Sequence, residues 1–116
     1  MRNLTLTAYL ITLSFTSLVI ENNGAFASIA NDIHVTTRIN APLWIIFNGT
    51  ATSANDTLNF IARTMPKHGT LSNQLENAIL YSPKMGFSGT DSFQYISFDR
   101  NLAQSKIATV FIIVKN

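Results

Sequence analysis

The chain has no cysteine among its 116 residues. This absence excludes a disulfide framework, a thiolate metal site and a thiol nucleophile, so folding must depend on side-chain packing or on a bound ion. Charge is also scarce, because charged residues make up 12% of the chain and the formal net charge is +2. A charge this small and this scattered does not favour nucleic acid or an anionic membrane surface as a partner.

Signatures of catalysis are missing as well. The two histidines, His34 and His68, are isolated in the sequence, whereas a metal site needs three or four converging ligands. There is no Gly-x-Ser-x-Gly elbow and no phosphate-binding glycine loop. Glu76 is the only glutamate after Glu21, and no carboxylate pair stands out as an acid and a base. The sequence therefore predicts a protein that is not an enzyme.

The N-terminal segment has the layout of a secretory signal peptide. An uncharged run from Leu4 to Ile20 follows Arg2, and the small residues Ala25 and Ala27 provide a cleavage site. We expect residues 1–27 to be removed, with a second cleavage site after Ala30. The alternative is an uncleaved N-terminal anchor, because the run is close to the lower limit for spanning a bilayer. In either case the rest of the chain is predicted to be secreted or exposed at the cell surface.

Two glycosylation sequons follow this segment, at Asn48-Gly49-Thr50 and Asn55-Asp56-Thr57. Both lie where the pattern predicts loops, which suits glycan attachment at Asn48 and Asn55. The alternative is that these are ordinary turn residues, since Asn, Asp and Gly are typical of turns.

Short alternating apolar runs, separated by turn residues, fill the chain beyond residue 30. No helix is indicated, and parallel connections through crossover helices have no room. The pattern predicts one domain, residues 31–116, folded as an antiparallel β-sandwich. The seven predicted strands are Ile33–Thr37, Leu43–Phe47, Leu58–Ala62, Gly69–Leu71, Ala78–Ser82, Asp91–Phe98 and Ile107–Val114.

Alternation within these strands assigns a set of side chains to the core. The predicted inward positions are Leu43, Ile45, Phe47, Leu58, Phe60, Ala62, Ile79, Tyr81, Phe93, Tyr95, Ala108, Val110, Ile112 and Val114.

Three motifs occur in order along the second half of the chain. They are the segments Pro66-Lys67-His68-Gly69-Thr70-Leu71-Ser72, Leu80-Tyr81-Ser82-Pro83 and Gly86-Phe87-Ser88-Gly89-Thr90-Asp91-Ser92-Phe93-Gln94-Tyr95. In these motifs the chain resembles the cadherin-like, bacterial immunoglobulin-like repeats of large cell-surface proteins, over about Val35 to Val114. The resemblance implies an all-β, seven-stranded immunoglobulin-like sandwich that serves as a spacer or an adhesive unit. Phe87 is expected to plug one end of this sandwich.

Some members of that family bind calcium between loops, and the resemblance implies candidate ligands here. They are Asp56, Asp91, Asp99 and Asn101. Many members carry two acidic clusters that have fewer acidic residues in this chain. Because calcium needs six to eight oxygen ligands, this reduction argues against a tight site. The alternative role for these residues is to cap turns.

Several apolar residues fall on positions opposite the predicted core. In an immunoglobulin-like strand order the third, sixth and seventh strands are neighbours, so their outward apolar residues would form one patch. Such a patch predicts a contact site for a protein partner or for a second copy. The residues of this predicted patch are Ile61, Ile96, Phe98, Ile107, Phe111 and Ile113.

The first functional hypothesis is therefore an exported, non-enzymatic structural or adhesive module. A second hypothesis is a carbohydrate-binding module in which Trp44, with Tyr81 or Phe87, offers a stacking platform. A calcium-binding spacer domain is the third alternative.

Overall fold

The computed structural model describes residues 28–52, 56–100 and 102–116. In this part of the chain there are nine β-strands and no helix, hence no helix that could cross a membrane. The strands are β1 Ser28–Ala30, β2 Ile33–Arg38, β3 Leu43–Ile46, β4 Gly49–Ala51, β5 Asn59–Ala62, β6 Gly69–Ser72, β7 Ala78–Pro83, β8 Gly89–Phe98 and β9 Ala108–Lys115. The predicted signal peptide, residues 1–27, lies outside the described residues.

The strands form a four-stranded sheet in the order β2-β9-β8-β5 and a three-stranded sheet in the order β3-β7-β6. The seven strands of these two sheets correspond to the seven predicted strands, so the all-β sandwich is confirmed. The two additional strands, β1 and β4, pair with each other. Each has three residues, which is too short to show an alternating pattern. β1 also precedes residue 31, where the domain was predicted to begin.

One strand pair departs from the expected antiparallel arrangement. β2 runs parallel to β9, from Ile33 opposite Val110 to Arg38 opposite Lys115. The other pairs in both sheets are antiparallel. No crossover helix is needed for the parallel pair, because the rest of the domain lies between the two strands in sequence and serves as the connection.

The core lies between the two sheets, where alternation placed it. Ile45, Tyr81, Tyr95 and Val110 are fully buried, and Phe47 packs against Tyr95 with ring centroids 4.8 Å apart. The other predicted inward residues are buried or packed against this cluster.

A β-bulge interrupts the pairing of β8 with the chain that leads into β9. Tyr95 is opposite Ala108, but Ser97 is paired with Ser105 through the Ser105 N–H, 2.9 Å from the Ser97 carbonyl oxygen. Two residues, 106 and 107, therefore lie opposite one, which is the definition of a bulge. The extra residue explains why Ser105 and Ala108 are both buried although they are three positions apart. It also explains why β9 begins at Ala108, one residue after the predicted start at Ile107.

Candidate functional site

The family motifs meet around the carboxylate of Asp91, which is 8% exposed. Its Oδ1 accepts hydrogen bonds from the backbone N–H groups of Lys67 at 3.0 Å and Ser92 at 2.9 Å. Its Oδ2 accepts one from the backbone N–H of His68 at 3.0 Å and one from the Tyr81 hydroxyl at 2.8 Å. Asp91 thus fastens the turn before β6 to strands β7 and β8.

Gly69 makes this arrangement sterically feasible. A Cβ atom at this position would lie 2.5 Å from Cε1 of the Tyr81 ring and 2.7 Å from the carbonyl oxygen of Ser82. Only glycine allows the Tyr81 ring to pass this close to β6 and reach Asp91. Burial raises the pKa of the Tyr81 hydroxyl, and the hydrogen bond to Asp91 and its negative charge raise this pKa further.

Phe87 closes the same end of the sandwich, as the sequence predicted. The Phe87 N–H donates to the Lys84 carbonyl oxygen at 3.0 Å, and Gly86, with φ of 81°, supplies the left-handed position that this turn requires. The Phe87 ring is stacked on His68 with centroids 4.3 Å apart, and it packs against the core. We call this assembly of Asp91, Tyr81, His68, Gly69 and Phe87 the Asp91 corner.

The predicted calcium ligands do not come together as one site. Asp91 lies near the start of β8 and Asp99 directly after its end, which separates them by about 26 Å of extended strand. Four hydrogen bonds already engage the Asp91 oxygens, and its role as a calcium ligand stays a prediction.

The remaining candidate ligands have partners of their own. Asp56 accepts from the Thr57 N–H at 2.9 Å and from Nε of Arg100 at 3.2 Å. Asp99 is buried, and its Oδ1 accepts the Ala103 N–H at 3.0 Å. Asn101 lies outside the described residues. Within the described part of the chain no three His, Asp or Glu side chains are grouped so as to hold a metal ion.

The outer face of the four-stranded sheet exposes four of the six apolar residues of the predicted patch, whereas Phe98 is half-buried and Ile96 is buried. Ile61, Ile107, Phe111 and Ile113 are 41% to 57% exposed. Ile96, however, is only 3% exposed. Ile96 lies opposite Ile61 on the neighbouring strand, and at this exposure it offers almost no surface for contact.

The strand register divides this outer face into two parts. Phe111 lies opposite Ser92, and the next outward pair along the strands is the polar pair Thr109 and Gln94. The apolar residues Ile61 and Ile96 lie opposite each other beyond this polar row. A polar pair therefore interrupts the patch that was predicted as continuous, and the role of these residues as a contact site stays a prediction.

The first part is an open groove of about 410 Å³ beside the β8–β9 hairpin, which we call the hairpin groove. Leu102 stands at its rim with 71% of its surface exposed and a φ of 65°. The Leu102 N–H donates to the Asp99 carbonyl oxygen at 2.9 Å, which fixes the turn. The lining residues are Ile61, Arg63, Ile96, Phe98, Leu102 and Gln104. Sequence reasoning missed Leu102 and Gln104, because both lie in a loop without periodicity.

The second part is a groove of about 420 Å³, which we call the Phe111 groove. One wall is Phe111 on β9, and the other is the segment between β5 and β6, which includes Met65 and Lys67. Outward side chains of β8, among them Ser92 and Gln94, lie between the walls. Of the residues that line this groove, Phe111 and Asp91 were proposed from sequence as site residues, Phe111 for contact and Asp91 as a calcium ligand.

The stacking platform predicted around Trp44 is not formed with Tyr81, which is fully buried. Phe87 is stacked on His68. Trp44 itself is 45% exposed on the edge strand β3, near Ile46 on the same outward side.

Of the two predicted glycosylation sites, Asn48 is exposed and Asn55 lies outside the described residues. The Asn48 side-chain oxygen accepts a hydrogen bond from Nδ2 of Asn31 at 2.6 Å. The Tyr95 hydroxyl lies 2.8 Å from the Asn48 carbonyl oxygen and 2.5 Å from that of Asn31, and burial raises its pKa. Glycosylation at both asparagines stays a prediction.

Solved structures similar to this chain share its fold. An endo-fucoidan hydrolase from glycoside hydrolase family 107 aligns with 82% of the chain at 17% identity and a TM-score of 0.51, and the chain covers 14% of that enzyme. The fibronectin(III)-like modules of CbhA from Clostridium thermocellum align with 83% of the chain at 14% identity and a TM-score of 0.50, with 50% of that structure covered. A search of curated proteins finds no match.

A family model described as "Bacterial Ig domain" matches residues 13–113 and begins within the predicted signal segment. The match covers most of the chain, and it agrees with the two-sheet sandwich and with the motifs that build the Asp91 corner. The chain therefore belongs to the bacterial Ig domain family.

Proposed function

We propose that the chain is an exported, non-enzymatic structural or adhesive module that binds a second copy of itself through the hairpin groove. Membership of the bacterial Ig domain family supports a β-sandwich module, and the signal-like N-terminal segment supports export. The contact function extends the first hypothesis drawn from the sequence.

The observation that carries the proposal is the placement of Leu102 beside the hairpin groove. Leu102 is 71% exposed and protrudes from the turn, while Ile61 and Phe98 line the groove next to it. An isologous interface requires a protruding side chain and a groove on the same surface. A two-fold axis then places Leu102 of each copy in the hairpin groove of the other. Exposed apolar surface of this kind usually marks a contact site.

Charge and edge geometry favour a face-to-face contact between copies. The net charge of +2 produces only weak repulsion between two chains. Pairing through the free edge of β5 is disfavoured, because the Phe60 carbonyl oxygen already accepts a hydrogen bond from Nε2 of Gln74 at 2.6 Å. The outer face beside that edge is therefore the more accessible surface.

Sedimentation velocity over a concentration series tests this function on the chain that begins at Ser28. The wild type is expected to associate, whereas Leu102→Asp and Ile61→Lys should sediment as monomers, because each places a charge in an apolar contact. The control is Ile113→Lys, which adds the same charge on the same sheet face but outside the hairpin groove. Circular dichroism checks that each variant is folded.

A wild type that stays monomeric at every concentration would contradict the proposal. So would an Ile113→Lys variant that dissociates as completely as Ile61→Lys, since this would place the contact elsewhere on the face.

A further inference from the structure

The Phe111 groove has the architecture of a second, chemically different binding site. His34 is stacked on Phe111, with ring centroids 4.8 Å apart and planes at 15°. Phe111 lines the groove and His34 does not. His34 therefore supports the ring from behind, and the Phe111 ring face opposite His34 forms the groove wall. A supported, half-exposed aromatic face is suited to stacking against a flat apolar surface.

The rest of the groove is lined by hydroxyl and amide groups. Among the described residues, the side chains of Ser92, Gln94 and Thr109 make no hydrogen bond to the protein, so their donors and acceptors face the groove or solvent. The Thr64 hydroxyl accepts the Gln94 N–H at 2.9 Å and can still donate its own proton. An aromatic wall with a few convergent neutral polar groups is the composition of a small-ligand site.

One positive charge lies on the wall opposite Phe111. Lys67 lines the groove and has no ion-pair partner in the described part of the chain. Asp91 also lines the groove, but it is buried and its carboxylate accepts four hydrogen bonds. Asp32, at the Thr109 end, accepts the Thr109 N–H at 2.8 Å but does not line the groove. Lys67 is thus the charged side chain of the groove that has no ion-pair partner among the described residues, whereas the Asp91 carboxylate is held by four donors.

We propose that the Phe111 groove binds an acidic polysaccharide, that is, a glycan bearing carboxylate or sulfate groups. The apolar face of one sugar ring stacks on Phe111, and its hydroxyl groups exchange hydrogen bonds with Ser92, Gln94 and Thr109. The anionic substituent pairs with Lys67. This activity goes beyond self-association and uses the other part of the sheet face.

Native affinity electrophoresis tests the proposal with the chain from Ser28. The gels contain polygalacturonate, dextran sulfate or neutral hydroxyethyl cellulose. Retardation is expected in at least one acidic gel and not in the neutral gel. Whichever acidic gel retards the protein identifies the anionic group.

Matched variants assign the binding to the groove. Phe111→Ala should weaken retardation roughly tenfold because the stacking face is lost, and Lys67→Met should weaken it about threefold, as expected for one exposed charge pair. Trp44→Ala, an aromatic truncation on the other sheet, should bind like the wild type. All three positions are exposed, and circular dichroism confirms folding.

Several results would overturn the proposal. These are an absence of retardation in both acidic gels, equal retardation in the neutral gel, or loss of binding in Trp44→Ala with Phe111→Ala unchanged. Loss of binding in Lys67→Met while Phe111→Ala binds normally would show non-specific charge attraction, and this also contradicts the stacked site.

Discussion

At the scale of single residues, the buried carboxylate of Asp91 accepts four hydrogen bonds. Its carboxylate joins the turn before β6 to β7 and β8 through four hydrogen bonds. We expect Asp91→Ala to lower the free energy of unfolding by about 3 kcal/mol, because it leaves buried donors without an acceptor. Urea denaturation measures this change.

Tyr81→Phe is the matched control for Asp91→Ala. It removes only one of the four hydrogen bonds and keeps the ring, so a loss of about 1 kcal/mol is expected. If Asp91→Ala cost no more than Tyr81→Phe, the backbone bonds from Lys67 and His68 would not stabilise the fold.

Tyr81 also makes stability depend on alkaline pH. Because the folded state raises the pKa of its hydroxyl above the unfolded value, the protonated form is favoured in the folded protein. Its contribution to stability is complete below about pH 10 and is lost as the pH rises from there through the raised folded pKa. The free energy of unfolding should therefore fall above pH 10, and less steeply in Tyr81→Phe. Identical slopes in both proteins would be inconsistent with this linkage. Tyr95, whose pKa is also raised, accounts for the slope that remains.

Gly69 and Gly86 are expected to respond differently to alanine. At Gly69 the new Cβ meets the Tyr81 ring and the Ser82 carbonyl oxygen, so we expect a loss of about 2–3 kcal/mol from steric strain. At Gly86 nothing lies within 4 Å, and only its φ of 81° opposes alanine, at about 1 kcal/mol. Thermal unfolding compares the two variants, and a larger effect at Gly86 would contradict the packing argument.

Some contacts of the Asp91 corner depend on local sequence patterns and could be predicted, whereas others join distant segments and could not. The inward position of Tyr81 was predictable because alternation is a local pattern, and the position of Phe87 at one end of the sandwich was implied by the family motif. The strand predicted to end at Ser82 extends by one residue to Pro83, which lies opposite Gly69 at the end of β7. The backbone donors of Lys67 and His68 to Asp91 were not predictable, since both residues are more than 20 positions away from it in sequence.

At the scale of elements, the contribution of β1 to stability can be tested directly by shortening the chain. The Ser28 side chain is buried, and its hydroxyl accepts a hydrogen bond from the Ser97 hydroxyl at 2.9 Å. β1 also pairs with β4. A chain that begins at Asn31 lacks these contacts, so we expect its stability to fall by about 2 kcal/mol, or roughly 8–16 °C in melting temperature.

Differential scanning calorimetry of chains that begin at Ser28 and at Asn31 measures the contribution of β1. The result also bears on processing, because cleavage after Ala27 retains β1 and cleavage after Ala30 removes it. Equal melting temperatures would mean that β1 is dispensable for the fold.

Strand existence could be predicted from local alternation, but strand partnership could not. The parallel pairing of β2 with β9 and the bulge opposite Ile96 depend on contacts between distant segments. A bulge reverses which side chains of the strand point inward and which point outward beyond it. No short sequence pattern in residues 105–107 predicts this bulge. This is why the start of the last strand was misplaced while its inward residues were correct.

At the scale of the whole molecule, the outer sheet face combines two surfaces that sequence reasoning merged into one. The polar pair of Gln94 and Thr109 separates the hairpin groove from the Phe111 groove. The exposed apolar residues could be predicted because they alternate with the core. Their division and the burial of Ile96 could not, since both depend on register and on how the hairpin folds back.

Sedimentation equilibrium of the chain from Ser28, beside its Leu102→Asp variant, tests the central claim most directly. If the hairpin groove is a contact between copies, the wild type should show a mass that rises with concentration toward twice that of one chain, and the variant should keep the mass of one chain. A wild-type mass that stays at that of one chain throughout, or a variant that associates equally well, would contradict it.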